Sequence, residues 1–161
     1  MSSNQIKVIV VTVSDSRREE DDFSGAALVE MLLLADVKIL EKIIVSDDFG
    51  NLRETLYTLT EREDVNLIMT TGGTGFSTRD NTPEATRAVI DREAPGLAEA
   101  MRSQTLKNTP FAMLSRGVCG IRNQTLIINL PGSPKGVREC FEVIKPVLQH
   151  AVNLLSGNTK H

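Results

Sequence analysis

The apolar positions along the chain alternate between short β-branched runs and stretches that recur every three or four residues. Residues 6–13, IKVIVVTV, are almost continuously apolar, which predicts a strand covered on both faces as in a parallel sheet. A charged loop follows over 14–23. From Ser24 onward, Ala27, Leu28, Met31, Leu32 and Ala35 keep helical spacing, so a helix is expected to run to about Ala35. Residues 37–45 predict a second strand. Asp47 or Asp48 can cap a helix from Phe49 to about Glu63, with Leu52, Leu56 and Leu59 on its inner side. Residues 65–70 predict the third strand.

The pattern then breaks at TTGGTGFSTRDNTPEAT, residues 70–86, where three glycines fall within four positions. Thr82 is a natural N-cap and Pro83 a natural first helical residue, predicting a helix to about Glu93. Pro95-Gly96 opens another, with Leu97, Ala100, Met101 and Thr105 facing inward. Residues 110–116 predict a short helix or turn. Residues 125–130 predict a strand, preceded by a short partner at 118–121. Pro131 to Pro134 then leads into a long helix striped by Val137, Phe141, Ile144, Leu148, Val152 and Leu155. Pro146 is expected to kink or divide that helix, and Gly157 to end it.

Strand and helix alternate without internal repeat or linker, which predicts one α/β domain over 1–161 with a parallel sheet between helix layers. Ligands of such sheets lie beyond the carboxyl ends of the strands. Ser14-Asp15, Ser46-Asp47, Gly72 to Asp80 and Pro131 to Ser133 all leave strand ends and are expected to converge on one edge.

Composition narrows the function classes. At 40% hydrophobic and 24% charged the chain is globular, and its net charge of −3 supplies no field for nucleic acid. An anionic small ligand would need a few local Arg and Lys residues and backbone N–H groups. Met1 to Gln5 has no positive leader region, and the apolar runs are too short for a bilayer, so a soluble cytoplasmic protein is expected. Cys119 and Cys140 fit no CxxC spacing and read as buried thiols in a reducing compartment. His150 and His161 have no metal-ligand neighbours, and no Ser-His-Asp or Cys-His set is recoverable.

Gly72-Gly73-Thr74-Gly75 can be a tight turn or an anion cradle after a buried strand; it is neither a dinucleotide fingerprint nor a P-loop. Asp80 can pair with Arg79, form an Asx-turn before Thr82, or serve as a carboxylate for Mg2+. Asp47 can cap a helix or join Asp80 at such an ion, since Mg2+ takes one or two carboxylates beside substrate phosphates. Ser115-Arg116 can be a cap and a surface cation, or a hydroxyl and a guanidinium on a phosphate. Ser133 is a cap or a ligand contact. The run from Arg17 to Asp22 reads as a solvated, self-neutralising loop.

These motifs together, with VTVSDSRREEDDFSG (11–25), DREAPGLAEAMR (91–102) and TPFAMLSRGVCGIRNQTLIINLPGSPKGVREC (109–140), resemble the MogA/MoaB family of molybdenum cofactor biosynthesis, to which the gephyrin G domain and its plant counterpart belong. The resemblance spans about Ile6 to Leu155. It implies a three-layer α/β fold, assembly into trimers or hexamers, and Mg2+-dependent transfer of adenylate from ATP to the terminal phosphate of molybdopterin. It implies catalytic Asp47, Asp80 and Ser115, with Asp47 and Asp80 holding the metal. Gly72, Gly73, Thr74, Gly75, Thr105, Arg116, Pro131, Gly132 and Ser133 would bind substrate; Asp15, Gly73 and Gly75 would lie on the nucleotide side. A molybdenum insertase is the implied partner. Thr78 and Ser46 stand where the family often has Pro, and the 16–25 segment is MoaB-like. The alternative functions are a non-catalytic molybdopterin-binding scaffold of the MoaB type, or a phosphate-binding module with another substrate.

Overall fold

The first apolar run forms β1 (Lys7–Val13), with six of its seven residues buried, as an interior strand of the sheet. In this computed structural model, which describes residues 4–158, β1 is flanked in parallel by β2 (Lys38–Val45) and β3 (Leu67–Thr71). β6 (Thr125–Leu130) adds in parallel to β3, while β5 (Cys119–Arg122) and the two-residue β4 (Arg92–Glu93) complete the edge in antiparallel sense. The order is β2-β1-β3-β6-β5-β4. His161 lies outside the described residues.

Alternation within the strands divides the core in two. Val8, Val10, Leu67, Met69, Leu126 and Ile128 face α1 (Phe23–Leu34), α4 (Pro95–Thr105) and α5 (Pro134–Leu155). Ile9, Val11, Ile68 and Ile127 face α2 (Phe49–Thr60) and α3 (Thr82–Arg87). The mostly parallel sheet between helix layers is therefore as expected, because runs buried on both faces leave no side for solvent.

Three local expectations are corrected. The helix after the glycine loop stops at Arg87 rather than Glu93, because its continuation serves the sheet. Asp91 N donates to Ile121 O (2.8 Å) and Ala94 N to Cys119 O (2.9 Å), and Ile90 packs over Gly120. Thr82 is the first residue of α3 and not its cap; Asn81 holds that position, and the Thr82 hydroxyl donates instead to Gly72 O at 2.9 Å. Pro146 does not divide α5, which runs unbroken over 22 residues. Pro146 and Glu142 both lie on the exposed side, where water can serve the carbonyl that proline leaves unpaired.

Candidate functional site

The four strand-end segments do meet. Ser14 N donates to Val45 O (2.9 Å), Gly72 N to Leu130 O (3.2 Å), and Thr71 Oγ1 to Pro131 O (2.7 Å). The glycines are required by this convergence. Gly72 and Gly73 have φ of +99° and +69°, where a side chain is strained. A Cβ on Gly72 would come within 2.5 Å of Val13 O; on Gly73 it would press on the Thr82 hydroxyl and reach 3.0 Å from Asp47 Oδ1. On Gly75 it would lie 2.9 Å from Asp80 Oδ2. Both carboxylates thus flank one loop. The N–H groups of Gly73, Thr74 and Gly75 meet no acceptor among the described residues.

Asp48, not Asp47, caps α2, taking Asn51 N at 2.9 Å. Asp47 is left for the rim. Its Oδ1 is buried and has no hydrogen-bond partner. Burial pushes the Asp47 carboxyl above its ordinary range, and the negative charges of Asp15 and Asp80 push it further. Asp15 accepts from Asp47 N (3.0 Å) and from Arg79 Nε (2.9 Å), and these bonds hold its carboxyl below the usual value. Arg79 therefore pairs with Asp15 and not with its neighbour Asp80. Asp80 turns back to accept from Ser77 N at 2.9 Å. Among the described residues no cluster of three or more His, Cys, Asp or Glu side chains could hold a metal unaided. Asp47 and Asp80 make a pair.

Arg116 clasps the loop from behind. Its backbone N donates to Thr74 O (2.8 Å), its Nε to Gly75 O (2.8 Å) and its Nη2 to Asp80 O (2.9 Å), while Nη1 pairs with Glu84. Burial works to raise the Glu84 carboxyl, but the bond from Arg116, a backbone N–H and the charges of Arg116 and Arg87 together outweigh it, and the net direction is down. Arg17 does the same for the second loop, donating to Gly132 O (3.0 Å) and Ser24 Oγ (2.6 Å). Its neighbourhood corrects the picture of a solvated 17–22 run. Asp22 is buried, caps α1, and accepts from Thr12 Oγ1 (2.6 Å), Gly25 N (3.0 Å) and Lys42 Nζ (2.9 Å). The reason is tertiary: Thr12 and Lys42 reach Asp22 from the two adjacent strands.

Beside the rim, α4, the 3-10 turn Pro110–Leu114 and the start of α5 enclose a pocket of about 230 Å3. Thr105, Ser115, Pro131 and Ser133 line it; Asp15, Asp47, Asp80, Arg116 and residues 72–75 do not. Gly132 lies between, so close to Gly72 that a Cβ there would be 3.2 Å from its Cα. Rim and pocket therefore join at Ser115-Arg116 and at Pro131-Gly132. Thr105 Oγ1 donates to Met101 O (2.6 Å), and Ser133 caps α5 through Gly136 N (3.0 Å). Burial pushes the Cys140 thiol on the pocket wall up to about 11 and that of Cys119 to about 12, so neither is a ready nucleophile.

Sequence reasoning missed Arg102, Asn129 and Glu139 on the pocket wall. The one signal for Asn129 was a polar residue inside the apolar run TLIINL. It is a hub, accepting from Val118 N and donating to Thr70 and Thr86 hydroxyls, all at 3.0 Å.

Unpaired loop N–H groups, flanking carboxylates and an adjoining apolar pocket at the carboxyl edge of a parallel sheet define a domain built to bind a small ligand with an anionic end. The chain belongs to the family described as "Probable molybdopterin binding domain", whose model matches residues 9–150. It is 42% identical over 157 residues to a molybdopterin adenylyltransferase of Helicobacter pylori, covering 95% of this chain and 89% of that one. The Escherichia coli protein of the same name is 42% identical, covering 88% and 75%. The molybdenum cofactor synthesis protein cinnamon of Drosophila melanogaster is 43% identical over 92% of this chain, which spans 25% of its length. Among solved structures, MoaB of Thermus thermophilus superposes with a TM-score of 0.87 at 46% identity, covering 95% of this chain and 98% of that one. The MogA/MoaB resemblance of the motifs and the expected fold are confirmed.

Proposed function

We propose that the protein is a molybdopterin adenylyltransferase of molybdenum cofactor biosynthesis. In the proposed reaction an oxygen of the pterin's terminal phosphate attacks the α-phosphorus of ATP, the bond from that phosphorus to the bridging oxygen breaks, and pyrophosphate leaves. The kinship to enzymes of that name supports the reaction class, and one geometric observation supports its placement. Asp47 Oδ1, buried and without a donor, shares the glycine loop with Asp80 beside an organic-ligand pocket.

The reaction calls for positioning and electrostatics rather than a protein nucleophile, which suits the high thiol pKa values and unpaired loop N–H groups. Gly73, Thr74 and Gly75 would cradle phosphate through backbone N–H groups, with Arg116 keeping the loop in shape. Ser115, where pocket and loop meet, would orient the pterin phosphate. Mg2+ fits the Asp47–Asp80 pair, since a hard-oxygen site with few protein ligands is what this ion takes beside phosphates, and a cation would relieve the unpartnered Asp47 oxygen. When bound, it supplies charge neutralisation for the leaving pyrophosphate.

We further propose a homo-oligomer, trimer or hexamer, and a molybdenum insertase as the consumer of the product. No helix among the described residues is long and apolar enough to cross a membrane, and a cytoplasmic location is proposed. Incubation with molybdopterin and Mg-ATP, without insertase, should release pyrophosphate and give adenylylated pterin. Asp80→Asn should abolish turnover while molybdopterin binding stays measurable. Pterin binding without any product from the native protein would favour the scaffold function; retained activity in Asp80→Asn would remove Asp80 from the mechanism.

A further inference from the structure

The pocket wall carries one carboxylate, Glu139, and one cation, Arg102, among otherwise apolar, hydroxyl, amide and backbone surfaces. Glu139 sits on α5 one turn beyond Gly136, which lines the same pocket. Its side chain is 22% exposed, and the nearest cation, Lys135 Nζ, stands 3.9 Å away and is itself 80% exposed. That separation is too long for a hydrogen bond. A carboxylate so far withdrawn from water and lacking a close donor favours a ligand that brings donors of its own. Arg102 is fixed by Nη1, which donates to Gly117 O (2.8 Å) and Ser115 O (3.4 Å), and its Nη2 and Nε meet no acceptor among the described residues.

We infer that Glu139 reads the donor edge of the ligand's heterocycle, accepting from the exocyclic 2-amino group and the adjacent ring N–H of a 2-amino-4-oxopyrimidine, while Arg102 donates to its 4-oxo group. The inference rests on the proposed molybdopterin function and adds the direction in which the ligand lies. A phosphate cannot share the Glu139 end of the pocket, because like charges at short range repel. The anionic end therefore lies toward Ser115 and the glycine loop, where N–H donors wait, and the ring lies toward α5. Two parallel N–H groups match the two oxygens of a carboxylate, the same geometry that makes bidentate pairs strong and selective.

Binding of molybdopterin, followed by its fluorescence, should weaken roughly 10- to 100-fold in Glu139→Gln, the range for losing hydrogen bonds to a charged group. Mg-ATP affinity should stay unchanged, and Glu139→Asp should fall between. Competition by 6-hydroxymethylpterin and by its 2-oxo analogue, 6-hydroxymethyllumazine, separates reading from packing. The native protein should prefer the pterin, and Glu139→Gln, which can donate to a 2-oxo group, should lose that preference. Native-like molybdopterin affinity in Glu139→Gln, or an equal loss for both competitors, overturns the assignment. A native protein that binds Mg-ATP but no molybdopterin overturns the pterin function itself, and the role of Glu139 falls with it.

Discussion

At Asp47 the fold holds a carboxylate against its own stability. Burial and the charges of Asp15 and Asp80 raise its pKa above the ordinary 3.8, so the folded state favours the protonated form. Below the ordinary value the group is protonated in both folded and unfolded chains and imposes no penalty. The destabilisation grows as pH climbs from the ordinary value through the raised folded pKa, and it is complete above that folded value. Asp47→Asn should therefore melt higher than the native protein at pH 7, with the difference shrinking to nothing as pH falls below about 3.8. Asp15 and Asp22 titrate in the opposite sense, their lowered pKa values giving stability above 3.8 that is lost on acidification, but both variants share them. In Asp22 burial alone would raise the carboxyl; the bonds from Thr12, Lys42 and Gly25 reverse it. A melting difference that is constant with pH would show that burial of charge is not the cause. The same residues show where sequence reading stops. Asp47 and Asp80 were legible because each follows a strand, whereas Asp22 sat in a charge run that looked solvated, and Glu139 was one more acid on a helix.

On the scale of elements, the glycine loop decides the site. Gly73 needs both its positive φ and its missing Cβ, since any side chain would press on the Thr82 hydroxyl and on Asp47. Gly73→Ala should cost about 1–2 kcal/mol from the left-handed backbone alone, read as a shift in denaturant midpoint. Its adenylylation rate should fall at temperatures where the variant is fully folded, because the added methyl displaces Asp47. Unchanged stability and rate would mean that the loop tolerates a different backbone. The corrected elements share one cause. Residues 88–93 carry a helical pattern, but the exposed edge of β5 offers a pairing partner, and Asp91, Arg92 and Ala94 take it. Thr82 has the chemistry of a cap and is used instead to tie Gly72, since the loop folds back over it. Local preference yields where tertiary hydrogen bonds are on offer.

For the whole molecule, surface apolarity carries the prediction. Leu33 and Leu34 at the end of α1 are 63% and 76% exposed, and Val147 and Leu154 on α5 are also exposed. Large side chains held in water at this density suggest a contact between copies. Native mass measurement should give three or six times the chain mass of 17.6 kDa, and Leu34→Asp should lower it. A native protein that runs at the single-chain mass at micromolar concentration would remove the oligomer from the proposal.

The alternation of apolar runs determined the layered α/β class and the edge on which the strand-end loops meet, because each strand buried on both faces requires helices on both sides. The motifs determined the family, since several keep their order and spacing through most of the chain. Only the tertiary structure decided which carboxylate caps and which stays unpaired, that Arg79 reaches Asp15, that Arg116 holds the loop, and that Glu139 faces a pocket with Arg102. Those outcomes depend on side chains brought together from distant positions, such as the 64 residues separating Arg79 from Asp15, and pairing across such distances is set by packing rather than by local pattern.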